Sequence, residues 1–375
     1  MLTAKITPSA WRAQLVALMS GQLRDVSAYN KADFWQAAAD ERIIAVLWHV
    51  VRSQSVSADA KILVSPYLRM QTVEAMQCRQ VTGEVLAAAN SAGVPVLCLR
   101  GQALTEPLYG NPSLRPQSDV DILVGSTDVP GIADALRGIG FTPTPFYPMV
   151  FERGLTLVDV HTDIIGIARI ASRAKMTSLR AAEFFRHAKQ GSLCSQPALV
   201  LEHRVLLPYL CLHALKHSFD RLIWLWDIAL LARRIEEEQA WPEVVDAIRI
   251  YRLERPCYYA LSYVHNHLNA SVPEDVVASI RPQMSWREKS LFARFMAHER
   301  IPYMAERVFS RMMPDAASRR AFWYETIFPR PEVREQFAGD TDCPNCNFIR
   351  NRIRLLLGSV VLIWRELMAL FRFPA

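Results

Sequence analysis

Ser118-Asp119-Val120-Asp121-Ile122-Leu123-Val124 decides the fold of this chain, together with Leu155-Thr156-Leu157-Val158-Asp159-Val160-His161. Both runs are rich in β-branched and aliphatic residues and read as strands. Residues two apart on a strand share a face, so Asp119 and Asp121 point one way while Val120 and Ile122 point into a core. In the second run Asp159 and His161 share one face, opposite Val158 and Val160. Like charges held side by side are costly unless a cation neutralises them. Carboxylate oxygens on a rigid strand suit a hard divalent ion, Mg²⁺ first and Mn²⁺ as the alternative. If the two strands are neighbours, Asp119, Asp121 and Asp159 converge on one point and serve as metal ligands. Such a site holds one or two ions, and a two-ion site clamps the attacking and leaving oxygens of a phosphoryl displacement.

Working outward, a helical stretch over Met70–Ala92 stops at Gly93, and Val94–Leu99 is a short apolar strand. Arg100-Gly101-Gln102 then opens a helix that the pattern carries to about Tyr109. A helix N-terminus offers free N–H groups to phosphate, and Gly101 lets the backbone approach closely; a simple tight turn is the alternative. The loop Asn111–Ser118 feeds the aspartate strand, so Arg115 and Ser118 are candidates to contact a triphosphate. An ordinary surface arginine is the alternative for Arg115. His161 is placed to touch an acceptor, to tune the metal ligands, or to hydrogen-bond locally. Thr127–Gly138 reads as a helix and Phe141–Phe151 as a Pro-rich strand with a bend. After Asp163 the pattern turns helical, with strong helices over Leu201–Lys216 and Asp220–Glu237. His213 and His217, at i and i+4, fit polar contacts between helices; a zinc site would need further ligands. Arg221, Trp224 and Asp227 are candidates to line a cleft against the strands.

A Gly-containing strand-to-helix turn, then DxD on a strand, then a lone Asp on a later strand resembles the DNA polymerase beta-like nucleotidyltransferase superfamily. Within it the chain looks most like a bacterial family labelled uncharacterised nucleotidyltransferase. The residues that carry the likeness are Leu99-Arg100-Gly101, Leu104, Tyr109, Leu114-Arg115-Pro116, Asp119–Val124, Val158–His161 and the helical stretch His213–Asp227. The resemblance implies that Asp119, Asp121 and Asp159 hold Mg²⁺ and that Arg100 and Gly101 meet the phosphates of an NTP, ATP among the candidates. It implies attack by an acceptor hydroxyl on the α-phosphorus, release of pyrophosphate, and help from Asp159 in deprotonating the acceptor. The turn departs from the family, which commonly has Lys-Gly; Arg100 keeps the charge but presents a planar fork instead of a compact ammonium. A DxD sugar-nucleotide glycosyltransferase and a catalytically inactive nucleotidyltransferase-fold binding module are the alternatives. The acceptor is left open among small molecule, peptide, protein and RNA.

The 375 residues allow two or three domains: an N-terminal helical region over 1–80, a catalytic core over 81–190 and a C-terminal helical domain over 191–375. Hydrophobic residues at 51% against 21% charged exclude a disordered chain, and only 14 glycines favour helix. The expected class is therefore α+β, a small mixed sheet flanked by helices and mostly α overall. Net charge is +6, enough to help hold a polyanion but no signature of nucleic-acid binding. Seven cysteines and no signal-peptide pattern predict reduced thiols and a cytoplasmic protein. Cys343 and Cys346 form one CxxC with no second pair, which favours a plain turn over zinc. The apolar run Leu355–Trp364 is too short to span a bilayer, which needs about 20 residues. It predicts a buried terminal helix, with membrane-surface contact as the alternative.

Overall fold

The computed structural model describes residues 8–22, 31–52, 57–145, 147–330 and 333. The Cys343/Cys346 pair and the run Leu355–Trp364 lie outside the described residues. The protein is α+β. A seven-stranded mixed sheet is formed by β1 (Leu97–Cys98), β2 (Asp119–Leu123), β3 (Thr142–Pro143), β4 (Val150–Arg153), β5 (Thr156–His161), β6 (Ala188–Leu193) and β7 (Gln196–Leu201). Its spatial order is β3-β4-β5-β2-β1-β7-β6. The two strands predicted to carry the aspartates are parallel neighbours at its centre, with Asp121 directly opposite Asp159.

The alternation of β2 and β5 sorts the two faces. Val120, Ile122, Val158 and Val160 enter a small core with Val81, Val85 and Leu86 of the helix Ala58–Ser91 and with Ile132 and Leu136 of the helix Val129–Gly138. Each such side chain, fully buried, contributes about 1.5–3 kcal/mol. The opposite face is split between core and cleft. Leu97, Leu99, Leu123 and Leu201 pack into a larger core built from the helices His203–Lys216, Leu222–Glu237 and Glu254–Leu268. The N-terminal helices join that same core through Leu15, Phe34 and Trp35. Buried Glu41 ties them in: Leu222 N–H donates to its Oε2 at 2.8 Å, and Arg300 Nη2 donates to its Oε1 at 3.0 Å.

Two differences from the sequence expectation stand out. Where the pattern after Asp163 predicts helix, β6 and β7 form a hairpin, and β7 lies parallel beside β1. The sheet therefore runs to Leu201, past residue 190, and the following helix begins at His203. The helix expected over 102–109 is a three-residue α turn, Gln102–Leu104, followed by a π-helical turn, Thr105–Tyr109. Pro107 is the reason: it has no N–H for the carbonyl four residues back, and its ring crowds that carbonyl.

Candidate active site

The central strands bring Asp121, Asp159 and His161 together. One ligand atom from each lies within 4.8 Å of the other two, and all three side chains are half-buried. His161 Nε2 sits 3.1 Å from Asp121 Oδ1 and 3.3 Å from Asp159 Oδ2, bridging the carboxylates. Two aspartates and an imidazole could hold a divalent ion; the carboxylates suit Mg²⁺ or Mn²⁺, while the imidazole suits a softer metal. The cluster differs from the predicted one: His161 stands in it, while Asp119, one pleat along β2, does not. Asp119 shares the face, and its Oδ1 accepts from the Ser118 hydroxyl at 3.4 Å. Burial and the adjacent carboxylates of Asp121 and Asp159 raise its pKa. Asp121 goes the other way: although burial opposes it, Arg100 and His161 hold it below the ordinary carboxylate range.

Arg100 makes a two-point contact with Asp121, through Nε at 3.2 Å to Oδ2 and through Nη2 to Oδ1. Its Nη1 meets the ring of His213 on the last turns of the His203–Lys216 helix. That imidazole is buried, and burial first, then Arg100, lowers its pKa, so it faces the guanidinium neutral. Beside Arg100, Gly101 has φ +63° and ψ −121°, open to glycine and strained for other residues. A Cβ there would stand 2.9 Å from Gln117 Oε1, and Gln117 is fixed by donating from Nε2 to Thr105 Oγ1 at 2.9 Å. The turn is therefore locked close to the aspartate strand.

Arg115 lies at the same cleft, but its fork is committed. Nε and Nη2 donate to Asp227 Oδ1 and Oδ2 at 2.9 and 2.8 Å, and Tyr109 Oη donates to Oδ1 at 2.6 Å. The pair is buried and clamps the loop before β2 to the helix Leu222–Glu237. Ser118 is exposed at the mouth.

The cleft occupies about 870 Å³ between the sheet face and the helices. Eight arginine and lysine side chains line it against five aspartates. Trp224 forms part of the wall, with His217 at 5.0 Å and the Arg221 guanidinium at 5.5 Å from its ring. Arg221 and Trp224 thus line the cleft as the helical pattern suggested, while Asp227 sits behind it. Arg42, Arg173 and Lys216 also line it; of these the sequence offered only Lys216, inside the stretch His213–Asp227, and gave it no role. They come from three distant segments, and no local spacing links them.

The central sheet thus carries paired aspartates on adjacent parallel strands, a glycine turn after β1 and a basic cleft. The profile of a family described as uncharacterised nucleotidyltransferase matches residues 27–269, and the chain belongs to that family. No curated protein matches the sequence. Among solved structures, the antibiotic-resistance factor ANT(2'')-Ia aligns with 14% identity and a TM-score of 0.34, covering 52% of this chain and 99% of that one. A likeness at that level carries no argument about this site. None of the described helices is long and apolar enough to cross a membrane.

Proposed function

We propose that the protein is a divalent-metal-dependent nucleotidyltransferase that moves an NMP from an NTP to an acceptor hydroxyl and releases pyrophosphate. The observation that carries this reading is the register of β2 and β5, which sets Asp121 opposite Asp159 with His161 between them. Asp121, Asp159 and His161 would hold the ion, with Asp119 contributing charge from the next pleat. When bound, the ion polarises the phosphoryl oxygens and lowers the pKa of an attacking hydroxyl. Asp159, the more exposed of the two paired aspartates, would take the acceptor's proton. Gly101 lets the backbone meet the phosphates, and Arg100 supplies the charge that the departing pyrophosphate needs. Arg115 and Ser118 act on the phosphates less directly: Arg115 holds the loop in place, and Ser118 borders Asp119.

The test is pyrophosphate release and label transfer with each of the four α-labelled NTPs, with Mg²⁺ or Mn²⁺, in a cell extract that supplies acceptors. Label on a macromolecule or metabolite, absent with Asp159→Asn, is the expected result. Absence of transfer together with absence of metal-dependent nucleotide binding rejects the proposal.

One observation favours a second reading, a binding module without catalysis: Arg100 already engages both oxygens of Asp121. In the catalytic reading Asp121 would release Arg100 on taking up an ion, and the guanidinium would be free to meet the phosphates. Arg100→Ala separates the two. The catalytic reading expects Mn²⁺ to bind roughly tenfold tighter in the variant, because ~1.4 kcal/mol of competition at Asp121 is gone, while transfer falls. Unchanged Mn²⁺ affinity by calorimetry favours the binding module.

A further inference from the structure

Arg173 is only 8% exposed and borders the cleft, yet among the described residues no carboxylate lies within ion-pair distance of it. Its Nη1 donates to the Ile165 carbonyl at 3.0 Å, its Nε is buried without a partner, and Nη2 makes no hydrogen bond to the described residues. The ring of Phe309 packs 5.4 Å from the guanidinium on its other side. Lys216, half-buried at the end of the helix His203–Lys216, also lines the cleft without an ion-pair partner among the described residues. Burial first, then Arg100 and Arg173, push its ammonium down to about 8. Asp163, which pulls on both cations, uses Oδ1 to accept from the backbone N–H groups of Ile165 and Ile167 at 2.8 and 3.1 Å. Glu306 and Asp163 pull on Arg173, and Asp163 on Lys216, from beyond ion-pair distance; a cleft that keeps two such cations without a direct ion pair is suited to an anion arriving with a ligand.

The sheet order separates Arg173 from the phosphate turn, while Lys216, on the helix that follows β7, feels both Arg100 and Arg173. Gly101 follows β1, on one side of the central β2, whereas the segment that carries Arg173 follows β5, on the other. In-line displacement needs the incoming hydroxyl opposite the departing pyrophosphate. We propose that Arg173, on the β5 side of the cleft, forms an oxyanion seat together with Lys216, and that the acceptor carries the phosphate or carboxylate group that fills it. The assignment to the acceptor rests on the nucleotidyltransferase reading; the seat itself does not.

Calorimetry on the full chain tests it, with inorganic phosphate titrated into protein saturated with Mg²⁺ and a non-hydrolysable NTP analogue. The expected result is phosphate binding to the wild type that weakens at least tenfold in Arg173→Gln and in Lys216→Met, with analogue affinity changed less than twofold. Lys216→Met removes a half-buried side chain with no partner, so it reports even if Arg173→Gln fails to fold by circular dichroism. Phosphate failing to bind the analogue-loaded wild type overturns the proposal. So does a tenfold loss of analogue affinity in Lys216→Met, which would give the seat to the triphosphate. If the wild type binds no nucleotide, the transferase reading and the acceptor assignment fall together. Phosphate alone then judges the seat: binding lost in the variants upholds it, and binding unchanged overturns it.

Discussion

Asp159→Asn is expected to lose nucleotidyl transfer by on the order of 10³ while the protein stays folded. The carboxylate is one of the two that face each other across β2 and β5, and its side chain is 37% exposed. Asparagine keeps the shape and removes the charge, so metal and proton chemistry are lost and packing is not. Several kcal/mol of transition-state stabilisation is the scale of a metal ligand, and each ~1.4 kcal/mol is tenfold in rate. Single-turnover transfer and a thermal melt, run side by side, check both halves. Wild-type transfer by a folded Asp159→Asn protein would sink the proposed site. Asp121→Ala behaves differently, because its partner Arg100 is left half-buried and unpaired. It loses transfer and also unfolds earlier, so it is the poorer diagnostic of chemistry.

Asp227→Ala gives the largest loss of stability among single changes at the site, about 3–5 kcal/mol. The carboxylate is buried and accepts from both forks of Arg115 and from Tyr109. Removing it leaves a guanidinium and a phenol without partners in a closed space. Replacing both ends, Arg115→Met with Asp227→Leu, recovers most of the loss, since two apolar groups of similar volume carry no stranded charge. Urea midpoints at unchanged slope measure the effect. A cost within about 1 kcal/mol for Asp227→Ala would show that the clamp is not buried as described. The consequence for function is positional: the clamp sets the loop that feeds β2 against the helices that wall the cleft.

The aspartate strands were legible because their signal is local. Side-chain parity on a strand follows from backbone geometry, so DVDIL and TLVDVH each announce a charged face and a core face wherever they fold. The helix stop at Gly93 and the two helices after residue 200 are legible for the same kind of reason. The β6–β7 hairpin is not. Ala188–Leu193 reads AKQGSL, with no apolar alternation, and its turn is Cys194-Ser195, both at positive φ, where Asn-Gly would ordinarily mark a hairpin. The π turn after Gly101 was equally hidden, although Pro107 offered a hint.

The sequence by itself determined that Asp119 and Asp121 share a face, that Asp159 and His161 share another, and that the chain is a helical α+β protein. Only the tertiary structure decided that Asp121 stands opposite Asp159, that His161 rather than Asp119 completes their cluster, and that Arg100 lies on Asp121. It also decided that Arg115 serves Asp227 and that Arg42, Arg173 and Lys216 meet in one cleft. Faces are fixed by bonds between neighbours in the chain. Pairing of strands and the choice of partner for each charge depend on how distant segments bury their apolar sides, and no short spacing records that.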